Sequence, residues 1–171
     1  MGIAIRRATI NDAGQAAQII NALISEGRYT IFDRAFSEEE ETAFISSLSD
    51  RSALYVAESD GEIVGVQSID LFMGFAESVR HVATIGTWLR SEYRGRGIGR
   101  LLAEESFRFA RSKDYRKVVI QVLADNEAAL RFYRKLGFED IGIARQHVRL
   151  RDGFHDEMYL EKLLEDAENI T

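Results

Sequence analysis

The apolar positions change period several times along the chain, and each change marks an element. Ile3 to Ala8 alternates and predicts a strand. Ala13, Ala16, Ala17, Ile20, Leu23 and Ile24 then recur at helical spacing, with Thr9 or Asn11 placed to cap that helix. Arg28 to Phe36 breaks the period and is rich in aromatics. Ser37 with Glu40 forms a capping box, opening a helix expected to turn Phe44, Ile45 and Leu48 inward. Ala53–Glu58 and Ile63–Leu71 read as strands joined at Asp60-Gly61, a hairpin turn pair. His81–Leu89 is a further strand, followed by a polar, glycine-rich turn and a helical stripe of Ile98, Leu101, Leu102, Phe109 and Ala110. Lys117–Leu123 lacks clean alternation, as a strand covered on both faces does. Asn126 can cap a short helix through Leu136, with Gly137 in the position that ends one. Phe138–Leu150 and Phe154–Leu160 complete the set as strands around Asp152-Gly153. The order β-α-α-β-β-β-α-β-α-β-β predicts an α/β domain over residues 1–171, one mixed sheet with helices on its faces.

Composition narrows the classes. At 171 residues and 46% hydrophobic, the chain can bury a core without metal or disulfide. It has no Cys, which excludes disulfides, thiolate metal sites and a Cys nucleophile. It also has no Pro, so its turns fall to Gly, Asn and Asp. A net charge of -6 argues against general nucleic-acid binding. No apolar run approaches a membrane span, and the opening residues lack the core of a signal peptide. Gly2 fails the myristoylation pattern because Arg6 stands where Ser or Thr is needed. A cytoplasmic location, without membrane or nucleic-acid partners and without a metal site, is the expectation.

One local feature runs against the acidic balance. Arg90-Ser-Glu-Tyr-Arg94-Gly95-Arg96-Gly97-Ile98-Gly99-Arg100 follows a strand and opens a helix. Its three glycines remove side chains where the helix begins, so backbone N–H groups can approach an anion closely. Four arginines and the helix N-terminus add positive charge, which suits a phosphate or pyrophosphate. The segment is not a P-loop, since Arg100 follows Gly99. Nor is it the dinucleotide fingerprint, whose third glycine would fall at Arg100. The plainer alternative is a tight strand-to-helix connection with solvated arginines.

Arg94-x-x-Gly97-x-Gly99 resembles the coenzyme A signature of the GNAT N-acetyltransferase superfamily. A second block, Asn126-Glu-Ala-Ala129-Leu-Arg-Phe-Tyr133-Arg-Lys-Leu-Gly137-Phe138, is similar to that superfamily's Asn-x-x-Ala-x-x-x-Tyr-x-x-x-Gly-Phe pattern. The blocks stand in order, with one helix and one strand between them, and element order matches from Ile3 to about Leu163. The resemblance implies a mostly antiparallel sheet of about seven strands flanked by about four helices, splayed at its central strands. It also implies acetyl-CoA as acetyl donor and a primary amine of a small molecule or amino acid as acceptor, attacking directly in a ternary complex.

Residue by residue, the resemblance assigns the pyrophosphate to the backbone of Arg94, Gly95, Arg96, Gly97, Ile98, Gly99 and Arg100. It assigns the pantetheine arm to the backbone of Thr87, Trp88 and Leu89, with side-chain identity mattering less there. The oxyanion would be held by a backbone N–H near Leu89. Asn126 would bond the pantetheine or cap its helix. Tyr133 would protonate the departing thiolate, while its alternative is a core aromatic on one face with Leu130 and Leu136. A glutamate that some members carry in the strand before the turn falls here at Ala83, leaving His81, Glu77, Asp156, Glu157 or a water chain as candidate bases, or an amine that arrives deprotonated from solution. Tyr29, Phe32 and Phe36 could wall an acceptor pocket, with Arg28 or Arg34 pairing a substrate carboxylate, or they could simply clamp the helices to the sheet. Arg149 and Arg151 are read as incidental to a hairpin turn. A homodimer is admitted. The alternatives are a non-catalytic acyl-CoA-binding module, acetylation of a protein N-terminus and, disfavoured by the failed fingerprints, a nucleotide-binding domain.

Overall fold

A computed structural model describes residues 2–27 and 29–164. Seven strands form one sheet: β1 (Ala4–Arg7), β2 (Ala53–Ser59), β3 (Glu62–Leu71), β4 (Val82–Leu89), β5 (Lys117–Leu123), β6 (Glu139–Leu150) and β7 (Gly153–Leu163). Their spatial order is β1-β2-β3-β4-β5-β7-β6, antiparallel throughout except for the β4–β5 pair. Four helices cover it: α1 (Ala13–Glu26), α2 (Glu38–Ser47), α3 (Ile98–Ser112) and α4 (Glu127–Lys135). None of them is long and apolar enough to cross a membrane.

Local chemistry accounts for most boundaries. Thr9 and Asp12 form a capping box around a single 3-10 turn, from which α1 continues and ends at Gly27 in the left-handed region. Ser37 and Glu40 cap α2 as their spacing predicts. The β2–β3 hairpin closes on Asp60 and Gly61, both with positive φ. Two positions differ from the pattern-based expectation. Phe44 is 37% exposed and Leu101 is 40% exposed, each at the edge of its helix's apolar stripe rather than within it.

The core has two sides. α1 packs Ala16, Ile19, Ile20 and Leu23 on Leu54, Val56 and Val66 of the sheet. On the opposite face, Phe107, Ala110, Leu130 and Tyr133 of α3 and α4 meet Ile85, Val118, Ile120 and Leu160. Alternation along β4 divides it between the two: Trp88 joins the α1 side, while Ile85 lies in the core under α3 and α4.

The parallel pair is brief. β4 and β5 are in register only at Val82↔Lys117 and Ala83↔Val118. Beyond Ala83, β4 keeps β3 as far as Leu89, but its other edge has no strand partner among the described residues. β5 meanwhile stays paired with β7 along its whole length. The two strands therefore diverge toward their C-terminal ends, opening a slot in mid-sheet.

Candidate active site

At the wide end of this slot β4 runs through a short 3-10 turn, Ser91–Tyr93, into α3. Gly95 and Gly97 have φ of 74° and 82°, and a Cβ on either would meet nothing within 4 Å. Gly99 is needed for a different reason. It lies inside the first turn of α3, where a Cβ would stand 2.9 Å from Phe132 Cζ on α4. Among the described residues, the successive backbone N–H groups of Gly95, Arg96, Gly97, Ile98 and Gly99 donate to no carbonyl or side chain, whereas those of Arg94 and Arg100 are used within the turn. An unspent row of donors at a helix start, reachable because the glycines carry no side chain, is a receptor for a polyanion.

The arginines of the turn divide their tasks. Arg94 donates to both carboxylate oxygens of Glu26, at 3.0 and 2.6 Å, and to the Leu89 carbonyl at 3.2 Å. Its guanidinium also lies 5.2 Å from the Tyr29 ring centroid. Arg100 pairs with Glu104, and Arg90 with Glu62. Arg96 forms no ion pair with a carboxylate among the described residues, acts on Glu92 only through space, and stacks over Tyr93.

Across the slot, Asn126 accepts a hydrogen bond from the Ala129 N–H and so caps α4. Tyr133, about two helical turns further on, is 6% exposed and packed by Phe132 and Phe138. Its hydroxyl lies 3.0 Å from Thr87 Oγ1, so the proposed acid and the pantetheine-side strand are joined directly. Burial pushes the Tyr133 hydroxyl up, and the Thr87 bond opposes this. The Thr87 side chain thus makes a contact with Tyr133 beyond the backbone role that the resemblance implies for it. Thr87 Oγ1 in turn accepts from Gln67 Nε2 at 2.7 Å. Gln67 escaped the sequence reading. The signal for it was a polar residue inside the apolar run of β3, at a position that is wholly buried.

The candidate bases separate by position. Glu77 is exposed and paired with Arg80. His81 precedes β4, at the closed end of the slot, and its carbonyl accepts from Arg116 and Lys117. Asp156 accepts from the Gln146 N–H. Glu157 is different: it is 3% exposed, and burial raises its carboxyl pKa against the opposing influences of His147 and Tyr159. It stands opposite Leu123 at the end of β5, with His147 Nε2 at 3.7 Å. Alternation along β7 turns Glu157 and Tyr159 away from Met158 and Leu160, which join the core under α3 and α4. Glu157 therefore faces the α1 side of the sheet.

On that side, a cleft of about 340 Å³ lies between the α1–α2 connection and the β6–β7 turn. Ser25, Thr30, Phe32 and Asp33 line one wall, and Arg149, Leu150 and Arg151 the other. Phe32 stacks on Trp88 at 6.0 Å and meets Phe36 edge-on at 5.1 Å, so the aromatic segment both clamps β4 and walls the cleft. Arg34 does not enter it: Arg34 pairs with Glu40 and covers Phe36. Arg28 lies outside the described residues. Arg149 and Arg151, dismissed from sequence because a turn gives no hint of what it will face, supply the positive charge instead.

The profile of the acetyltransferase (GNAT) family matches residues 18–138. The chain belongs to this family. Membership makes it, by class, an acetyl-CoA-dependent acyltransferase. Over 109 residues it is 38% identical to the N-alpha-acetyltransferase RimI of Mycobacterium tuberculosis, a match covering 63% of this chain and 66% of that protein. Over 115 residues it is 30% identical to the L-amino acid N-acetyltransferase AaaT of Escherichia coli, covering 66% and 69%. Among solved structures, the acetyltransferase yncA of Salmonella typhimurium, determined with its cofactor acetyl-CoA, superposes with a TM-score of 0.90 at 19% identity, over 97% of this chain and 96% of that one. That likeness is one of fold: seven strands opened at β4 and β5, with helices on both faces.

Proposed function

We propose that the protein transfers the acetyl group of acetyl-CoA to the primary amine of a small, anionic acceptor such as an amino acid, by direct attack in a ternary complex. The observation that carries this reading is the row of unspent N–H groups from Gly95 to Gly99 at the mouth of the β4–β5 slot. The pyrophosphate sits on these donors. The pantetheine arm adds to the free edge of β4 along Thr87, Trp88 and Leu89, as a strand would, and Asn126 holds the opposite wall. The thioester then lies between the two faces of the sheet, with Tyr133 on one and the Glu157 cluster on the other.

The chemistry divides accordingly. A free alkyl amine has a pKa near 10 and must lose a proton before attack. Glu157 takes that proton, directly or through water, and its raised pKa brings it closer to the working pH. The amine nitrogen bonds to the thioester carbon, the C–S bond breaks, and the Tyr133 hydroxyl protonates the departing sulfur. The nitrogen gives up a second proton to solvent as the amide forms, and the proton held by Glu157 returns to Tyr133 through solvent, so ammonium and thioester become amide, thiol and one proton released to solvent.

Arg149 and Arg151 favour an acceptor carrying a carboxylate, and the cleft volume suits a small molecule. The 38% identity to a protein named N-alpha-acetyltransferase favours a second reading, a peptide N-terminus. A panel of amino acids, their carboxamides and short peptides, read by thiol release, separates these. Amino acids should exceed their carboxamides by at least about tenfold, which is about 1.4 kcal/mol. Faster turnover of peptides selects the second reading. Coenzyme A binding without thiol release from any amine selects the non-catalytic module.

The same reading includes a cytoplasmic enzyme and a homodimer. The dimer is supported by the outer strand β6, which leaves Ile141 and Ile143 exposed on an unpaired edge. Sedimentation of the wild type against Ile143→Lys tests it.

A further inference from the structure

Resting on the reading of Tyr133 as the acid, we infer that Gln67 and Thr87 are positioning residues that fix the direction of the Tyr133 proton, keeping it aimed at the departing sulfur. The three groups form a line: Gln67 Nε2 donates to Thr87 Oγ1 at 2.7 Å, and Thr87 Oγ1 lies 3.0 Å from the Tyr133 hydroxyl. Gln67 and Thr87 face each other across β3 and β4 in direct register, so the sheet itself sets the first contact.

An amide nitrogen only donates, and a threonine hydroxyl carries a single hydrogen. With one side of Oγ1 taken by the Gln67 amide, the Thr87 hydrogen has one acceptor within reach among the described residues, the Tyr133 oxygen. When Thr87 donates there, the phenolic hydrogen is left to point into the slot. If Tyr133 donated to Thr87 instead, Oγ1 would accept two hydrogen bonds and its own hydrogen would have no acceptor among the described residues. The Gln67 amide thereby disfavours the order that would bury the catalytic proton between two side chains.

The same bond serves the reaction. As the sulfur takes the phenolic hydrogen, negative charge grows on the Tyr133 oxygen, and the Thr87 O–H already points at it. Among the described residues no charged side chain acts on this hydroxyl: burial raises its pKa and the Thr87 bond lowers it. Gln67 keeps this orientation although its Oε1 has no hydrogen-bond partner among the described residues and is buried. A buried amide left half-satisfied is uncommon where packing alone is served.

The test is a set of variants read by kcat, by KM for acetyl-CoA and by the alkaline limb of the kcat pH profile. Thr87→Val keeps shape and β-propensity but removes the hydroxyl. It should lower kcat about tenfold or more, within the range of lost acid catalysis, with KM for acetyl-CoA within about twofold. The alkaline limb should move up, because the tyrosinate has lost its donor. Thr87→Ser should restore both. Gln67→Glu, which offers an acceptor in place of the donor, should reverse the hydrogen order and lower kcat although Thr87 is present. In a Tyr133→Phe background neither substitution should cost more. Thr87→Val within twofold of wild type beside an impaired Tyr133→Phe overturns the inference and leaves the acid in place. An undiminished Thr87→Val loss in the Phe background also overturns it, since the effect would then be packing. Tyr133→Phe within threefold of wild type at equal melting temperature removes the acid, and the positioning role with it.

Discussion

At the scale of single residues, Gly97 and Glu157 make the sharpest claims. Gly97 has a φ of 82° with open space where its Cβ would be. A valine there meets two costs: the left-handed backbone, about 1–2 kcal/mol for a side-chain-bearing residue, and a branched group where phosphate must approach. Gly97→Val should therefore weaken acetyl-CoA by at least about tenfold, or 1.4 kcal/mol, in a titration of the folded variant; unchanged affinity would take the turn out of the site. Glu157 carries a pKa raised by burial, so its neutral form is the one folding favours. That contribution is complete below the unfolded carboxylate pKa and is lost as pH rises through the higher folded value. Glu157→Gln should thus melt higher than wild type at pH 8, with the difference fading toward pH 4. It should also lose about 10²-fold or more in kcat/KM and flatten the acid limb of the rate profile. Turnover within threefold of wild type would pass the base role to water. The placing of Tyr133, Asn126 and the glycines around the slot is legible in the sequence because each holds a motif position. Gln67 carries no such mark and Glu157 stands in the sequence as one candidate base among several, since a polar residue in a strand does not announce which face it takes or what crosses the sheet to meet it.

At the scale of elements, caps and turns follow directly from residue chemistry. Ser37 and Glu40, Asp60 and Gly61, and Asn126 all act where their spacing puts them. The parting of β4 from β5 is a different matter. Both strands are apolar, and nothing in their periodicity says that pairing stops after Ala83; that expectation came from resemblance. The contact of Gly99 with Phe132 shows what lies on the far side, since the Phe132 ring of α4 reaches to where a Cβ at position 99 of α3 would stand. A second tie joins the acceptor wall to the slot. His155 on β7 lies 2.8 Å from Asp152 in the β6–β7 turn and 3.1 Å from Asp125 in the β5–α4 loop. Asp152 first, then Asp125, hold the imidazole pKa above its usual value. The imidazolium bridge is complete below about pH 6.5, the usual histidine value, and is lost as pH rises through the raised one. Hydrogen exchange in residues 146–153 should accelerate between pH 6 and pH 9 beyond the intrinsic chemical rate. His155→Gln should exchange fast at both. Equal protection in the variant would mean the turn is held by strand pairing alone.

At the scale of the whole molecule, an acidic protein must bind an anionic donor, and the arrangement of its arginines shows how. Net charge is -6, so a coenzyme with several phosphates is repelled at long range and must be captured locally. The sequence suggests Arg94 and Arg96 as equal partners in this capture, because spacing cannot say which cations are already spoken for. In the fold they differ. Arg94 closes on Glu26 at the end of α1, on the Leu89 carbonyl and on Tyr29, so its charge is largely compensated and it ties the helix bordering the acceptor cleft to the donor turn. Arg96 retains its charge for an incoming phosphate. Arg96→Ala should then raise KM for acetyl-CoA while barely changing binding of a phosphate-free pantetheine thioester. It should also flatten the salt dependence of acetyl-CoA binding, since exposed charges are screened within about 10 Å at 0.1 M salt. Arg94→Ala should instead lower the melting temperature and raise KM for the amine, because the end of α1 and the segment after it lose their anchor. Glu26→Gln should reproduce the loss for the amine and leave acetyl-CoA affinity intact or improved, since it frees the Arg94 charge. If Arg94→Ala and Arg96→Ala cost the same for acetyl-CoA and nothing for the amine, Arg94 is released from Glu26 when the donor binds and the clamp is not a working feature of the enzyme.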